Sequence, residues 1–260
     1  MGFFQILLKR NCQTKKERSS LLITLGIRPV ADFETLNYQI MTDLNTSSEA
    51  TITDETAIGF IPCYNQPFVT LYNTDCLNLI DSMPIADCVI TDPPYPNNAG
   101  HFIDGIKDAV YFMQNYKCKH WFIFWDEMTK PPIDLPLVAI HIWHRSNTNR
   151  PDNYEPIYEF NENGIKRASR VIPAPVIYPG LTGCIEATGH PTQKPVKLIR
   201  KLITYNKITG LVADPFFGSG TVAEACLKEK INFIGSEKDS KHYQDAVNRL
   251  ERMRMSPTLF

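Results

Sequence analysis

The stretch LVADPFFGSGTVAEA, residues 211–225, decides the fold of this chain. Its apolar start is typical of a buried strand, Gly218 and Gly220 permit a tight turn, and its end favours a helix. The N-terminus of such a helix presents unpaired amide donors and partial positive charge to a ligand. Because no lysine follows the glycines as in a phosphate-binding P-loop, that motif is excluded. A strand-to-helix connection that binds nothing remains the alternative for this stretch taken alone.

Strand-like and helix-like segments alternate on both sides of this stretch. The predicted strands are FVTLYN (68–73), DCVIT (87–91), HWFIFW (120–125), LVAIHIWH (137–144), EPIYEF (155–160), GLVADPF (210–216) and INFIGSE (231–237). The predicted helices cover residues 102–116, 194–206, 221–230 and about 240–252. Apolar strands that alternate with helices indicate an α/β domain, in which helices cover both faces of a mostly parallel sheet.

The first 66 residues differ in composition from the rest. Residues 9–18 are basic, residues 31–44 place apolar side chains at helical spacing, and residues 45–56 are polar and rich in serine and threonine. The last of these segments is typical of a linker. We therefore predict an extension and linker over residues 1–66, followed by one folded domain over residues 67–260.

The composition excludes several classes of protein. No run approaches the roughly 18–20 apolar residues of a transmembrane helix. The chain starts with apolar residues followed by basic ones, which is the reverse of a secretory signal. The seven cysteines are an odd number and include no CxxC pair. This usage favours reduced, buried thiols in a cytoplasmic protein and gives no reason to assign a metal.

The charge balance points away from a strongly basic domain. The net charge is −1, so any contact with nucleic acid must come from local patches. Two segments, HRSNTNR (144–150) and IKRASR (165–170), supply such patches, although each is also typical of a solvated loop. The candidate contacts are Arg145, Arg150, Lys166, Arg167 and Arg170.

A second motif, VITDPPYPNNAG at residues 89–100, ends a predicted strand in an unusual way. Two adjacent prolines fix the backbone and remove two amide donors, and Asp92 is kept out of helical geometry because it precedes a proline. The result is a stiff corner that presents one carboxylate, exposed carbonyls and the ring of Tyr95. A strand needs no such ending, which suggests a chemical role.

Two further features surround the glycine-rich turn. Glu237 ends the next strand, where doubly wound sheets place an acid that accepts hydrogen bonds from ribose hydroxyls. Together with the glycines it suggests a cofactor that contains adenosine, although a surface glutamate is the simpler alternative. The run GHPTQKP (189–195) precedes a helix, and Thr192 is its predicted N-cap.

The segments TDPPY, HPTQKP and DPFFGSGT, in this order, resemble the exocyclic-amine DNA methyltransferases that use S-adenosylmethionine. The catalytic motif precedes the glycine loop, which is similar to the circularly permuted beta class that methylates adenine N6 or cytosine N4. The resemblance covers roughly residues 68–250. It implies a Rossmann-like methyltransferase fold, with a mostly parallel twisted sheet and one antiparallel strand near EPIYEF.

The resemblance also implies roles for individual residues. Glu237 would bind the cofactor's ribose, Asp75 its adenine amine, and Thr192 and Lys194 would lie near its methionine end. Asp214, Phe216, Gly218, Ser219 and Gly220 would line the remainder of the cofactor pocket. Asp92, Pro93, Pro94 and Tyr95 would hold the target base.

The residues of the DPPY corner suit this chemistry. An aromatic amine is a weak nucleophile, and a carboxylate at Asp92 with the carbonyl of Pro93 can accept its two N–H groups in a preorganised site. The base must leave the duplex to reach them. We expect methylation of adenine N6 in DNA, with cytosine N4 or RNA adenine N6 as alternatives. A non-catalytic binding subunit is a further alternative, and a dinucleotide oxidoreductase would leave DPPY unexplained.

Little of the chain remains for recognition of a target sequence. After the core elements are placed, only a short insert near residues 161–189 is left. Recognition could instead come from the N-terminal extension or from a separate specificity partner. DNA is the expected partner, and the sequence leaves open a homodimer and an associated restriction endonuclease.

Overall fold

The stretch that decides the fold forms a strand, Leu211–Asp214, and a helix, Thr221–Glu229, joined by the glycine-rich turn. The computed structural model describes residues 62–95, 99–151, 153–177 and 192–255, without the side chains of residues 99–104. The predicted extension and linker therefore lie almost entirely outside the described residues. The same is true of the second half of the predicted recognition insert.

Nine strands are present among the described residues. They are β1 (Tyr64–Gln66), β2 (Val69–Tyr72), β3 (Cys88–Thr91), β4 (His120–Phe124), β5 (Leu137–Arg145), β6 (Tyr154–Asn161), β7 (Val171–Ala174), β8 (Leu211–Asp214) and β9 (Asn232–Ser236). They form one sheet in the order β1-β2-β9-β8-β3-β4-β6-β5-β7.

The sheet is mostly parallel. Strands β2, β9, β8, β3 and β4 pair in parallel, and β7 pairs in parallel with β5. Strand β6 runs antiparallel to both of its neighbours, β4 and β5. The predicted fold class is confirmed, including the antiparallel strand at EPIYEF. Strand β1 forms an antiparallel hairpin with β2 and adds a second antiparallel strand, which the sequence did not predict.

Helices cover both faces of the sheet. They are α1 (Ala99–Asn115), α2 (Val196–Asn206), α3 (Thr221–Glu229) and α4 (Ser240–Met255), with a short 3₁₀ helix at Cys76–Asn78. One core cluster joins the sheet to α2, α3 and α4, and the other joins it to α1 and the 3₁₀ helix. This is the two-sided cover that apolar parallel strands require. None of the described helices has the length and apolar character needed to cross a membrane.

The prediction that Thr192 caps α2 is wrong. The helix begins at Val196, and its N-cap is Pro195, which has extended geometry and makes no side-chain cap. Lys194 precedes a proline and is therefore kept out of the helical region, so the helix cannot begin earlier. Thr192 and Lys194 therefore lie in the loop that leads into the helix.

The aromatic core agrees with the sequence analysis. Trp121, Trp125 and Trp143, which lie in or next to the predicted strands, are all buried. The described cysteines are all free thiols, and all but Cys63 are buried. Two of the tryptophans also contact residues of the site described next.

Candidate functional site

Four acidic residues converge on one edge of the sheet. The carboxyl ends of parallel strands meet at the same edge, where ligands of open α/β sheets bind. Asp92 follows β3, Asp214 ends β8, Glu237 follows β9, and Asp75 lies just beyond β2. Because β6 runs the opposite way, its first residues reach this edge too, and they include Glu155.

A cavity of about 430 Å³ opens at this edge. Its size lies within the usual range of cofactor sites. Eight of the nine residues that the sequence assigned to the cofactor line it: Asp75, Thr192, Lys194, Asp214, Phe216, Gly218, Ser219 and Glu237. Three of the four residues assigned to the target base also line it: Asp92, Pro93 and Pro94. The structure thus brings the two predicted groups to one cavity.

Gly220 is the predicted cofactor residue that does not line the cavity. It is the N-cap of α3, with a φ of 74° that disfavours residues with a side chain. A Cβ there would lie 2.9 Å from the Cβ of Ala246 in α4. The glycine is therefore required by helix packing behind the turn. Gly218, with a φ of 48°, faces the cavity.

Asp214 is buried at the floor of the cavity. One of its oxygens, Oδ1, accepts from the Thr91 hydroxyl at 2.8 Å and from the Phe216 amide at 3.1 Å. Burial raises the pKa of this carboxyl from 3.8 to about 7, although both hydrogen bonds lower it. A cationic ligand beside Asp214 would favour its charged form.

Glu237 fixes the glycine-rich turn from the neighbouring strand. Its carboxylate accepts from the amide of Gly218 at 3.1 Å and from the amide of Asp239 at 2.8 Å. Burial raises the pKa of Glu237 above its ordinary value. The acid that the sequence placed at the end of this strand therefore connects β9 directly to the turn after β8.

Asp75 performs a local role as well as lining the cavity. It is the N-cap of the 3₁₀ helix, where Oδ1 accepts from the amide of Leu77 at 3.0 Å. Its other oxygen, Oδ2, lies 3.8 Å from the ammonium of Lys238, which is also 3.5 Å from Asp108 of α1. One lysine therefore bridges two acids that line the same cavity.

Asp92 forms an ion pair that the sequence analysis did not predict. The ammonium of Lys194 donates to its Oδ2 at 2.5 Å. Its other oxygen, Oδ1, is buried and has no hydrogen-bond partner among the described residues. Burial raises the pKa of Asp92 to about 6, with Lys194 lowering it and Glu155 raising it. One carboxylate oxygen is thus paired with Lys194, and the other has no hydrogen-bond partner among the described residues.

Lys194 lies at the centre of a chain of charges. Its ammonium is 3.1 Å from Oε1 of Glu155, and Oε2 of Glu155 accepts from Arg145 at 2.7 Å. The ring centroids of Phe124 and Trp143 lie 5.0 and 5.9 Å from the ammonium. Burial lowers the pKa of Lys194, but the carboxylates of Asp92 and Glu155 outweigh this effect and raise it.

Sequence reasoning missed Glu155 as part of the site. The segment EPIYEF was predicted as a strand, and nothing in its composition marks its first residue as functional. Only the antiparallel direction of β6 places that residue beside the carboxyl ends of the other strands. The resemblance had suggested this direction, which is the one signal that could have located Glu155.

Packing fixes the DPPY corner. Pro94 contacts α1 at Gly105, where a Cβ would come within 3.0 Å of the proline ring. The ring of Tyr95 lies 5.6 Å from that of Trp125, at an angle of 46°. Tyr95 does not line the cavity itself. It forms, with Trp125, an aromatic wall next to it.

The structure does not bring the five candidate nucleic-acid contacts together. Arg145 ends β5 at the edge that holds the cavity, and Arg150 is exposed in the loop that follows. Lys166 instead donates to the carbonyl of Leu137 at the start of β5. A strand advances about 3.3 Å per residue, so the two ends of β5 are roughly 25 Å apart.

The remaining two candidates make contacts within the protein. Arg167 forms an ion pair with Glu159 at 2.8 Å, and its amide donates to the carbonyl of Val138. The guanidinium of Arg170 lies 5.0 Å from the ring centroid of Tyr205 in α2. Both arginines therefore have a structural contact as well as an exposed surface.

Comparison with known proteins identifies the second half of the domain. Residues 175–248 match the family model of N6/N4 DNA methylases. This part of the chain is similar to N6/N4 DNA methylases. The segment contains HPTQKP and DPFFGSGT, two of the three motifs from which the resemblance was inferred, and the predicted family is confirmed.

Individual relatives agree with this family. The type II methyltransferase M.HinfI of Haemophilus influenzae is 38% identical over 69 residues, which is 26% of this chain and 19% of that protein. M.HindIII, from the same species, is 45% identical over 62 residues, which is 24% of this chain and 20% of the relative. The matched segment therefore spans about a fifth of the length of each of these methylases.

Two solved structures share the fold of this chain. The M1.HpyAVI–SAM complex superposes with a TM-score of 0.54 at 22% identity, over 70% of this chain and 98% of that one. The cytosine-N4-specific PvuII DNA methyltransferase superposes with a TM-score of 0.57 at 16% identity, over 72% of this chain and 88% of that one. At such identities the likeness concerns the fold.

Proposed function

We propose that the protein transfers a methyl group from S-adenosylmethionine to an exocyclic base amine in DNA, with adenine N6 as the target. The observation that carries the proposal is the state of Asp92. Its Oδ2 is held by Lys194, while its buried Oδ1 lacks a hydrogen-bond partner among the described residues, and Asp92 lines one cavity together with Asp214 and Glu237. An orphaned buried acceptor is costly unless a ligand supplies the donor.

The cavity suits this cofactor by its own chemistry. S-adenosylmethionine would supply a sulfonium-activated methyl group. Asp214 is a buried and Glu237 a half-buried carboxyl group, both with raised pKa values, so cationic or hydroxyl groups of a ligand would stabilise their charged forms. We assign the ribose to Glu237 and the adenine amine to Asp75. The remaining cofactor contacts are those predicted for Thr192, Lys194, Asp214, Phe216, Gly218 and Ser219.

The residues of the DPPY corner would activate the amine. Oδ1 of Asp92 and the carbonyl of Pro93 accept its two N–H groups, which localises the nitrogen lone pair toward the methyl group. The prolines, and the contact of Pro94 with α1, hold both acceptors in place before reaction. We assign the stacking of a base flipped out of the duplex to the ring of Tyr95, which packs against Trp125.

The choice of adenine rests on Asp92. Members of the beta class that methylate cytosine N4 often carry serine at this motif position, so the aspartate favours adenine. The relatives named as type II methyltransferases favour a role beside a restriction endonuclease. A homodimer, a separate specificity partner and a cytoplasmic location stay predictions from the sequence.

The direct test is transfer of labelled methyl groups from S-adenosylmethionine to unmethylated DNA, with RNA in parallel. Mass analysis of the digested nucleosides identifies the product. N6-methyladenine in DNA is the expected result. N4-methylcytosine would show that the target is cytosine N4 and not adenine N6. Label in RNA alone would show that the substrate is RNA. No transfer with cofactor bound would favour a non-catalytic binding subunit.

The matched test uses Asp92→Ala. We expect kcat to fall by at least about 10²-fold, because a preorganised acceptor at the reacting group is removed. Binding of S-adenosylmethionine, measured by calorimetry, should remain. The exposed Asp81→Ala serves as a control for the loss of one acidic side chain. Loss of cofactor binding together with activity would make Asp92 a structural residue.

A further inference from the structure

Glu155 occupies a position that neither the predicted site nor the family assignment explains. It is 5% exposed, and its two oxygens contact two different cations, Lys194 at 3.1 Å and Arg145 at 2.7 Å. Lys194 in turn reaches Asp92 at 2.5 Å. The four side chains form one continuous chain of alternating charge that ends at the proposed catalytic carboxylate.

The fold fixes each member of this chain. Glu155 is paired with Trp143 across the β5–β6 ladder, and Arg145 lies two residues further along β5. Arg145 also lies 5.1 Å from the ring centroid of Trp143. The faces of Phe124 and Trp143 flank the ammonium of Lys194. A buried ammonium with two aromatic neighbours and two carboxylates has few other positions to adopt.

Glu155 and Arg145 balance the charges around Lys194 and Asp92. If Lys194 contacted Asp92 alone, it would largely neutralise the carboxylate that must accept hydrogen bonds from an amine. Glu155 shares the ammonium, and Arg145 balances the charge of Glu155, so two anions face two cations. Asp92 thereby keeps its position without losing its strength as an acceptor.

We propose that Glu155 and Arg145 are positioning residues, which hold the Lys194 ammonium on Oδ2 of Asp92 and leave Oδ1 charged and open to the substrate amine. This inference rests on the proposed function, since it concerns the same carboxylate. It assigns no direct contact with the substrate to either residue.

The two positioning residues shift the pKa of Asp92 in opposite directions. The charged or titratable groups that face this carboxylate are Lys194, Glu155, Arg145, Tyr95 and Asp214. After burial, which raises the pKa of Asp92, the charge of Glu155 raises it further and that of Arg145 lowers it. Glu155→Gln should therefore lower the pKa of Asp92, and Arg145→Gln should raise it.

The experiment compares these two variants with the wild-type chain. The pKa of the Asp92 carboxyl is followed by ¹³C NMR without substrate, with the resonance assigned by its absence in Asp92→Asn. In parallel, kcat, the KM for S-adenosylmethionine and the pH profile are measured. Glu159→Gln is the matched control, because Glu159 is a buried, ion-paired glutamate of the same strand that does not contact Asp92.

We expect Glu155→Gln to reduce kcat by about 10²-fold, the scale of a small misplacement of a reacting group, with little change in the KM for cofactor. In Glu155→Gln, the acid limb of the pH profile of kcat and the titration of Asp92 should both move to lower pH. In Arg145→Gln, both should move to higher pH. Glu159→Gln should lose thermal stability and keep the wild-type titration of Asp92.

Several results would overturn the inference. They are an unchanged Asp92 titration in both variants, shifts of the same sign, or a loss of activity that merely follows thermal stability as in Glu159→Gln. Should Glu155→Gln not fold, Arg145→Gln alone still decides, since its side chain is more exposed. If the wild-type chain transfers no methyl group, the proposed function is wrong. The NMR titration would still test whether Glu155 and Arg145 act on Asp92.

Discussion

Asp214 shows how a single buried carboxyl group links stability to ligand binding. It is 2% exposed, and its pKa is raised from 3.8 to about 7 because burial disfavours the charge. The folded protein therefore binds a proton that the unfolded chain releases at lower pH. As the pH rises from about 4 through about 7, stability is lost, on the order of a few kcal/mol at the upper end.

Asp214→Asn should remove this pH dependence. The amide oxygen can still accept from Thr91 and Phe216, which both use Oδ1 in the wild type. We expect the variant to be more stable than the wild type at pH 8 and similar to it below about pH 4, measured by urea unfolding. Its affinity for S-adenosylmethionine should fall, because a cationic ligand loses its charged partner. If the difference in stability between the variant and the wild type is the same at both pH values, folding does not raise the pKa of Asp214.

Gly220 offers a second test at the scale of one residue. Gly220→Ala places a side chain at a φ of 74° and its Cβ 2.9 Å from that of Ala246. We expect it to destabilise the protein by more than the roughly 1–2 kcal/mol of left-handed geometry alone. Chemical denaturation measures the change.

The control for this variant is Gly164→Ala. Gly164 has a similar φ of 63°, but a Cβ there would meet Pro136 only at 3.6 Å. It should show the backbone strain without the collision. If both variants lose the same free energy of unfolding, α4 accommodates the extra methyl group and packing against Ala246 is not the reason for Gly220.

At the scale of elements, a buried ion pair joins α3 to α4 behind the glycine-rich turn. Arg249 of α4 donates to Glu224 of α3, and it also donates to the carbonyl of Ser219 at 3.1 Å. Both side chains are nearly inaccessible. The pair therefore holds the turn against the two helices that follow it.

Removing one partner should cost more than removing both. Arg249→Met leaves Glu224 buried with only Lys228, and we expect a loss of about 3–5 kcal/mol in the free energy of unfolding. The double variant Glu224→Leu/Arg249→Met should recover part of this loss, since no charge remains buried. A double-mutant cycle by denaturant titration measures the coupling. Additive effects would show that the two helices do not depend on the pair.

Most strands and helices were predictable because each has a recognisable pattern in its own segment of the sequence. The strands are short apolar runs and the helices have periodic apolar faces, so their order and the parallel sheet followed from the sequence. The two edge strands of the sheet were less predictable. Strand β1 has only three residues and β7 contains a proline, so neither has the apolar run that is typical of a strand. The start of α2 was misplaced because Thr192 is a good cap, whereas Pro195 decides where helical geometry begins.

The site was predictable where a motif carries its own geometry. Asp92, Asp214 and Glu237 each lie at the carboxyl end of a strand, so the parallel sheet brings them together whatever lies between them. The partners of Asp92 were not predictable in this way. Lys194 lies 102 residues away in sequence and Glu155 comes from the antiparallel strand, so their meeting depends on strand order.

At the scale of the whole molecule, the chain has a net charge of −1, and the proposed function requires it to bind DNA, an anionic polymer. Its affinity for DNA then depends on where cations lie relative to the cavity edge. Arg150 is exposed at that edge, whereas Lys166 lies near the opposite end of β5. Under the proposed function, we expect a duplex that delivers a base to Asp92 to lie along the first edge and not to contact Lys166.

The salt dependence of DNA binding separates these two positions. Each phosphate contact contributes about 0.9 to the slope of log K against log salt concentration. We therefore expect Arg150→Ala to reduce the slope by about one contact and to weaken binding to all sequences alike. Lys166→Ala should leave the slope unchanged, since its ammonium contacts the carbonyl of Leu137. A reduced slope in Lys166→Ala alone would place the duplex on the opposite edge of the sheet, which is incompatible with a base entering the cavity beside Asp92.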